Sequence, residues 1–150
     1  MTARKTADYF LTLVDGEAGD SLSNLKLQKL VYYAQGFSLA ILGKPLFPEE
    51  IQAWQHGPVV AELYHGLKKH GSEPVPPPEN GINRDEYPEE VRDLLDEVYT
   101  VYGQFSASKL RNMTHEELPW KEAMEFGASF PVSTQTMKEF FATQVNGQEQ

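Results

Sequence analysis

Three of the chain's four histidines, His56, His65 and His70, fall in the stretch HGPVVAELYHGLKKHG at residues 56–71. Imidazoles at this density suit two kinds of chemistry, metal ligation and general acid–base transfer. A zinc-hydrolase helix presents two histidines four positions apart with a glutamate between them, so that both rings reach one ion from one face. Here the helical pair is His65 and His70, five apart, which puts them about 140° from each other on the wheel. That spacing does not chelate one ion from a regular helix. The chain has no cysteine, which removes disulfides, thiolate zinc sites and iron–sulfur clusters. His65 is expected to face solvent, and His70, in the last turn before Gly71, to complement the helix dipole. No metal and no cofactor is implied.

Nucleophilic and phosphate chemistry leave no signature either. There is no G-x-S-x-G elbow, no G-x-x-x-x-G-K-[ST] loop and no G-x-G-x-x-G turn. The paired acids Glu49-Glu50, Glu89-Glu90 and Glu116-Glu117 are adjacent, and neighbours on a helix diverge by about 100°, which marks a hydrated face. His56 and His115 differ from the other two histidines because each stands at a junction, WQHGPVV between strand and helix and NMTHEELPW between two helices. Each also neighbours a tryptophan, Trp54 or Trp120. In one reading the imidazoles bond nearby backbone while the indoles fill core. In the other, the two corners form one exposed patch of His, Trp and Pro that meets a protein partner.

The elements that hold these corners follow from periodicity. A first helix is expected from about Thr2 to Val14, then a solvated turn at DGEAGDSLS. In NLKLQKLVYYAQGFSLAIL, residues 24–42, Leu27, Leu30, Val31, Ala34, Ser38 and Ile41 share one side while Leu25, Tyr32, Gly36 and Leu39 share the other. A helix apolar on two faces belongs at the centre of a bundle, with Gly36 letting another backbone come close. The period then changes, and a small β-hairpin is expected at about 45–56, its strands joined at Pro48–Glu50. Pro58 is placed at the first position of a helix that runs to about Lys69. GSEPVPPPENGINRDEYP reads as an irregular Pro-rich surface loop over 71–87. Beyond it, residues 88–105 form a helix that buries Val91, Leu94, Leu95, Val98, Tyr102 and Phe105 and turns Glu89, Glu90, Asp93, Asp96 and Glu97 outward. Shorter helices follow, capped by Ser106 and Ser133 and opened by Pro119, and the tail at 145–150 is expected to fray. The fold class is thus mainly α, a single-domain helical bundle over 1–150 around one central buried helix, with a small hairpin.

Composition narrows the partners. With 22 acidic against 13 basic residues the net charge is -9, a field that repels phosphate backbones and favours basic partners. Direct nucleic-acid binding is not expected. The longest uncharged run, Leu30–Gly43, is too short to span a bilayer, and the N-terminal residues carry no signal-peptide h-region, so a cytoplasmic protein is expected.

KLQKLVYYAQGFSLAILGKPLFPEEIQAWQHGPVVAELYHGLKKHG, residues 26–71, resembles the Panacea domain, the SocA-like antitoxin family that includes phage-associated GepA-like proteins. Carrying the likeness are Lys26-Leu27-Gln28-Lys29-Leu30, Tyr32, Ala34-Gln35, Gly43-Lys44-Pro45-Leu46-Phe47, Ala53-Trp54, Gly57-Pro58-Val59 and Tyr64. A second block comprises Leu110, Thr114-His115 and Pro119-Trp120-Lys121. The resemblance implies a mainly helical, non-enzymatic bacterial or phage antitoxin, encoded beside a toxin gene, that neutralises a cognate protein toxin by direct binding. It also implies an alternative role as proteolytic adaptor to a ClpXP-type protease. A third reading, from the residues alone, is a small hydrolase with His56 or His115 as general base. The partner-binding candidates are Lys29, Tyr32, Trp54, His56, His115 and Trp120.

Overall fold

The computed structural model describes residues 1–14 and 20–148. The protein is mainly helical with one two-stranded antiparallel hairpin. Helix α1, Ala3–Thr12, starts where the Thr2 hydroxyl accepts the Lys5 amide. Helix α2, Asn24–Phe37, starts at Ser23, whose hydroxyl accepts the amide of Lys26. From Leu27 to Phe37 every α2 residue is buried, so this is the central helix that its two apolar faces predict. Its chain continues as a wider π-turn, Ser38–Leu42, closed by Gly43 at φ 73°. The burial is uneven at the ends, where Leu25 and Ile41 are exposed.

What packs closest on Gly36 is a ring rather than the expected backbone: an added Cβ would stand 2.2 Å from Phe141 of helix α7, Thr134–Gln148. Helices α4 (Glu89–Tyr102), α5 (Ala107–His115) and α6 (Leu118–Phe126) complete the bundle with α3 (Ala61–Leu67). Ser106 and Ser133 cap α5 and α7, and Pro119 opens α6. On α4 the expected Val91, Leu94, Leu95, Val98 and Tyr102 face inward, but the helix ends at Tyr102, so Phe105 lies beyond it and is half-buried. Of its acids, Asp96 departs from the hydrated row, because it accepts a 2.7 Å hydrogen bond from the Tyr9 hydroxyl.

The hairpin lies later than the residue pattern suggests. Strands β1, Ile51–Trp54, and β2, Gly57–Val60, pair Ile51 with Val60 and Trp54 with Gly57 across a two-residue turn, Gln55–His56. Pro58 is therefore in a strand and not at a helix start, and α3 begins at Ala61. The missing N–H of Pro58 matters little here for another reason. Its partner Ala53 turns both backbone groups to the opposite edge, where they bond Phe130 O and Ser129 N at 2.9 and 2.7 Å, so the Ala53–Pro58 pair exchanges no ladder bonds.

Three further stretches show detail that the residue pattern does not. The Pro-rich stretch is not wholly superficial, since Val75 and Tyr87 are buried and the Val75 amide bonds Leu22 O at 2.8 Å; residues 84–86 form a 3-10 turn. Within DGEAGDSLS, residues 15–19 lie outside the described part, but Leu22 is core. Helix α7 is described through Gln148, and residues 149–150 of the tail expected to fray lie outside the described part. Among the described residues no helix is long and apolar enough to cross a membrane.

Candidate functional site

Trp54 and Trp120, 66 positions apart, meet where the hairpin turn abuts the junction of α5 and α6, the Trp120 indole Nε1 donating 2.8 Å to the Trp54 carbonyl. Under them the His115 ring stacks on Trp120, centroids 4.0 Å apart and planes 9° from parallel. His115 also bonds the Gln55 backbone. The two corners thus form one locus. Trp54 itself packs edge-on to Tyr64, 5.0 Å between centroids, and beside the exposed His65 at 6.0 Å. His56 is exposed at the tip of the turn. Burial, then the charges of Arg111, Lys29 and His56, hold the His115 pKa below its ordinary value against the backbone bond that raises it. A neutral ring stacked flat on an indole is rigid, and its Nε2 is enclosed without a partner.

Lys29 and Tyr32 are set differently. Tyr32 is 0% exposed, so it presents no surface, and its hydroxyl donates 2.9 Å to Glu117 Oε1 while Tyr33 donates 2.8 Å to Oε2. Glu117 is consequently no part of a hydrated acidic pair, whereas Glu116 is exposed. Burial pushes the Glu117 carboxyl up to about 7, although both tyrosine bonds favour the carboxylate. Lys29 is 1% exposed and runs beneath the hairpin, its Nζ 3.4 Å from Pro58 O. Gly57, at φ 114°, makes room for it, since a Cβ there would lie 2.5 Å from Lys29 Cε. Burial, with the nearby Arg111 charge, brings the ammonium down to about 7.

Sequence reasoning gave no site role to four side chains around this locus, among them Glu117, which it placed on a hydrated face. Gln28 accepts the Val60 amide at 3.0 Å, and Gln35 both accepts the Leu46 amide at 2.7 Å and donates to Phe47 O at 3.0 Å. These amides fix the hairpin and the turn before it to α2. Glu117 and Arg111 are the other two. The signal for Gln28 and Gln35 was present as polar positions on a helix otherwise apolar on two faces, which have nowhere to point except at backbone. Beyond the corner, Phe126 (71% exposed) and Phe130 (42%) stack at 4.7 Å, with Phe130 paired to β1 through Ala53. Among the described residues no three His, Asp or Glu side chains gather as a metal-binding group.

The sequence model of the family described as "Antitoxin SocA-like, Panacea domain" matches residues 27–121. That range contains the whole corner and Glu117. The chain is also similar to the curated protein named Antitoxin SocA of Caulobacter vibrioides (strain NA1000 / CB15N), at 29% identity over 111 residues, covering 66% of this chain and 58% of the relative. No solved structure matches.

Proposed function

The chain belongs to the SocA-like antitoxin family carrying the Panacea domain, and from that membership we propose that it neutralises a cognate protein toxin by binding it directly, without catalysis. The observation that carries this reading is the meeting of the two corners, where the Trp120 indole is bonded to the Trp54 carbonyl. A rigid, partly exposed aromatic and imidazole patch is the kind of surface that anchors a protein partner, because its side chains have little entropy left to lose. The stacked Phe126 and Phe130, left open to solvent beside β1, extend it with apolar area. Lys29 and Tyr32 act from beneath, supporting the hairpin and the α5–α6 junction. His56 and His115 serve recognition in this reading, His115 as a neutral stacking ring.

Expression of the neighbouring reading frame tests it. That product alone should arrest growth, and this chain should relieve the arrest. The exposed substitutions His56→Glu and the pair Phe126→Asp with Phe130→Asp should weaken toxin affinity by about tenfold or more each, some 1.4 kcal/mol, with unfolding temperature unchanged. A harmless neighbour, or undiminished affinity in every variant, would overturn the proposal. Relief that vanishes in a host lacking the ClpXP-type protease would move the mechanism to proteolytic delivery.

A further inference from the structure

Beside the corner, between the start of α5, the side of α2 and the hairpin tip, lies a cavity of about 240 Å³ lined by Leu25, Lys29, His56, Ala107, Ser108 and Arg111. A water occupies roughly 30 Å³, so the space admits a small ion with some of its hydration. Its polar lining is Lys29, Arg111, His56 and Ser108, with no carboxylate among them. In a chain with 22 acidic residues, none of them pairs with Lys29 or Arg111 among the described residues; the ion pairs there join Arg4 to Asp8, Lys5 to Glu86 and Lys44 to Glu90.

The hydrogen bonding is as incomplete as the charge pairing. An ammonium carries three donors, and Lys29, almost wholly buried, uses one in a contact of 3.4 Å. A guanidinium carries five, yet Arg111 has no side-chain partner in the described protein, and its Nε is buried unpaired. The first turn of α5 adds two more donors. Ser106 Oγ takes the Lys109 amide at 3.0 Å, while the amides of Ala107 and Ser108, two residues that line the cavity, stand at the helix start with no intrahelical acceptor. Burying cations close together without a counter-charge is unfavourable, and apolar residues of similar size would fill the same volume without that repulsion.

We propose that this cavity is a binding site for one oxyanion, a phosphate or a carboxylate, held by Lys29, Arg111, His56 and the first amides of α5. The acceptor geometry suits such a group, since arginine grips either anion with two parallel N–H bonds and a helix start supplies backbone donors. The site stands independently of the antitoxin reading, as it needs no toxin to fill. Binding should also draw a proton from solvent above neutral pH, because Lys29 is depressed to about 7 when no acid faces it. The charged groups around it, Arg111, His56 and His115, are all cationic or neutral.

The test titrates the full chain at constant ionic strength with inorganic phosphate, with acetate, and with chloride as control, following the amide NMR signals of Ala107, Ser108 and His56. The expected result is saturable shifts at these residues for phosphate or acetate, with Kd of about 1 mM or tighter. Shifts with phosphate alone assign the site to a phosphoryl group, and shifts with acetate alone to a carboxylate. Arg111→Gln, at a half-exposed position, and Lys29→Met should each weaken the effect by about tenfold. Calorimetry at pH 8 in two buffers of different ionisation enthalpy should register proton uptake that Lys29→Met abolishes. If neither anion shifts these amides beyond the chloride control, or if both variants bind as the wild type does, the proposal is wrong.

Discussion

Gln35 holds one backbone group on each of two consecutive residues of the segment that leads into the hairpin, taking the Leu46 amide and giving to Phe47 O. Gln28 accepts the Val60 amide alone, and Ser38 Oγ donates 2.7 Å to Lys44 O. Irregular chain packed against a helix cannot satisfy its own backbone, and a buried unpaired group costs about 1–3 kcal/mol. Replacing Gln35 by Met keeps the volume and orphans both groups, so stability should fall by at least about 2 kcal/mol, with an unfolding temperature roughly 4–8 °C lower. A thermal melt reads this directly, and an unchanged melt would show that water replaces the amide. The sequence displays these glutamines only as polar residues on a hydrophobic helix. It cannot reveal that each faces a particular carbonyl or amide, since that depends on which segment lies alongside. Glu117 shows the opposite failure, an acid beside an acid that reads as solvated and is instead clasped by two tyrosines.

At the scale of elements, α2 and α7 cross where Gly36 leaves a space filled by the Phe141 ring. Adding a methyl group forces the ring or the helix away, and overpacking of this kind costs typically about 1–3 kcal/mol. Gly36→Ala should therefore destabilise by that amount in urea unfolding, and combining it with Phe141→Leu should recover part of the loss, the two effects being non-additive because the residues touch. Strict additivity would show that the contact is not what limits Gly36. The apolar wheel located this crossing, and the capping serines located the helix starts, because both are local consequences of residue type. The hairpin was displaced for a non-local reason. Its strands are pinned on one edge by residues 129–132, through Ser129, Phe130 and Val132, and on the other by Gln28 and Lys29 of α2. Neither partner is near it in sequence, and a proline that would open a helix in isolation sits comfortably in a strand whose ladder position needs no N–H.

For the whole molecule, half-buried Glu117 and buried Lys29 act on stability in opposite pH ranges. Glu117 titrates near 7 in the folded chain against an ordinary 4.5, so its contribution is fully present below pH 4.5 and is lost as pH rises towards 7. Lys29 also titrates near 7, against an ordinary 10.5, so its contribution is present at high pH and is lost as pH falls towards 7. Near neutrality the protein carries both unfavourable ions at once. Urea midpoints should thus decline from pH 4.5 to 7 and recover above 7, until the buried tyrosines, whose pKa values are raised by burial, begin to oppose the gain beyond 10. Glu117→Gln should flatten the acid limb alone and Lys29→Met the alkaline limb alone; profiles parallel to the wild type would refute the assignment. From sequence alone come the helical class, the central helix, the caps, the charge balance, and the two His–Trp corners, all properties carried by neighbours along the chain. Only the folded structure brings those corners together, buries Lys29, clasps Glu117 between two tyrosines, and leaves Arg111 unpaired, because proximity between residues tens of positions apart is set by packing and not by local preference.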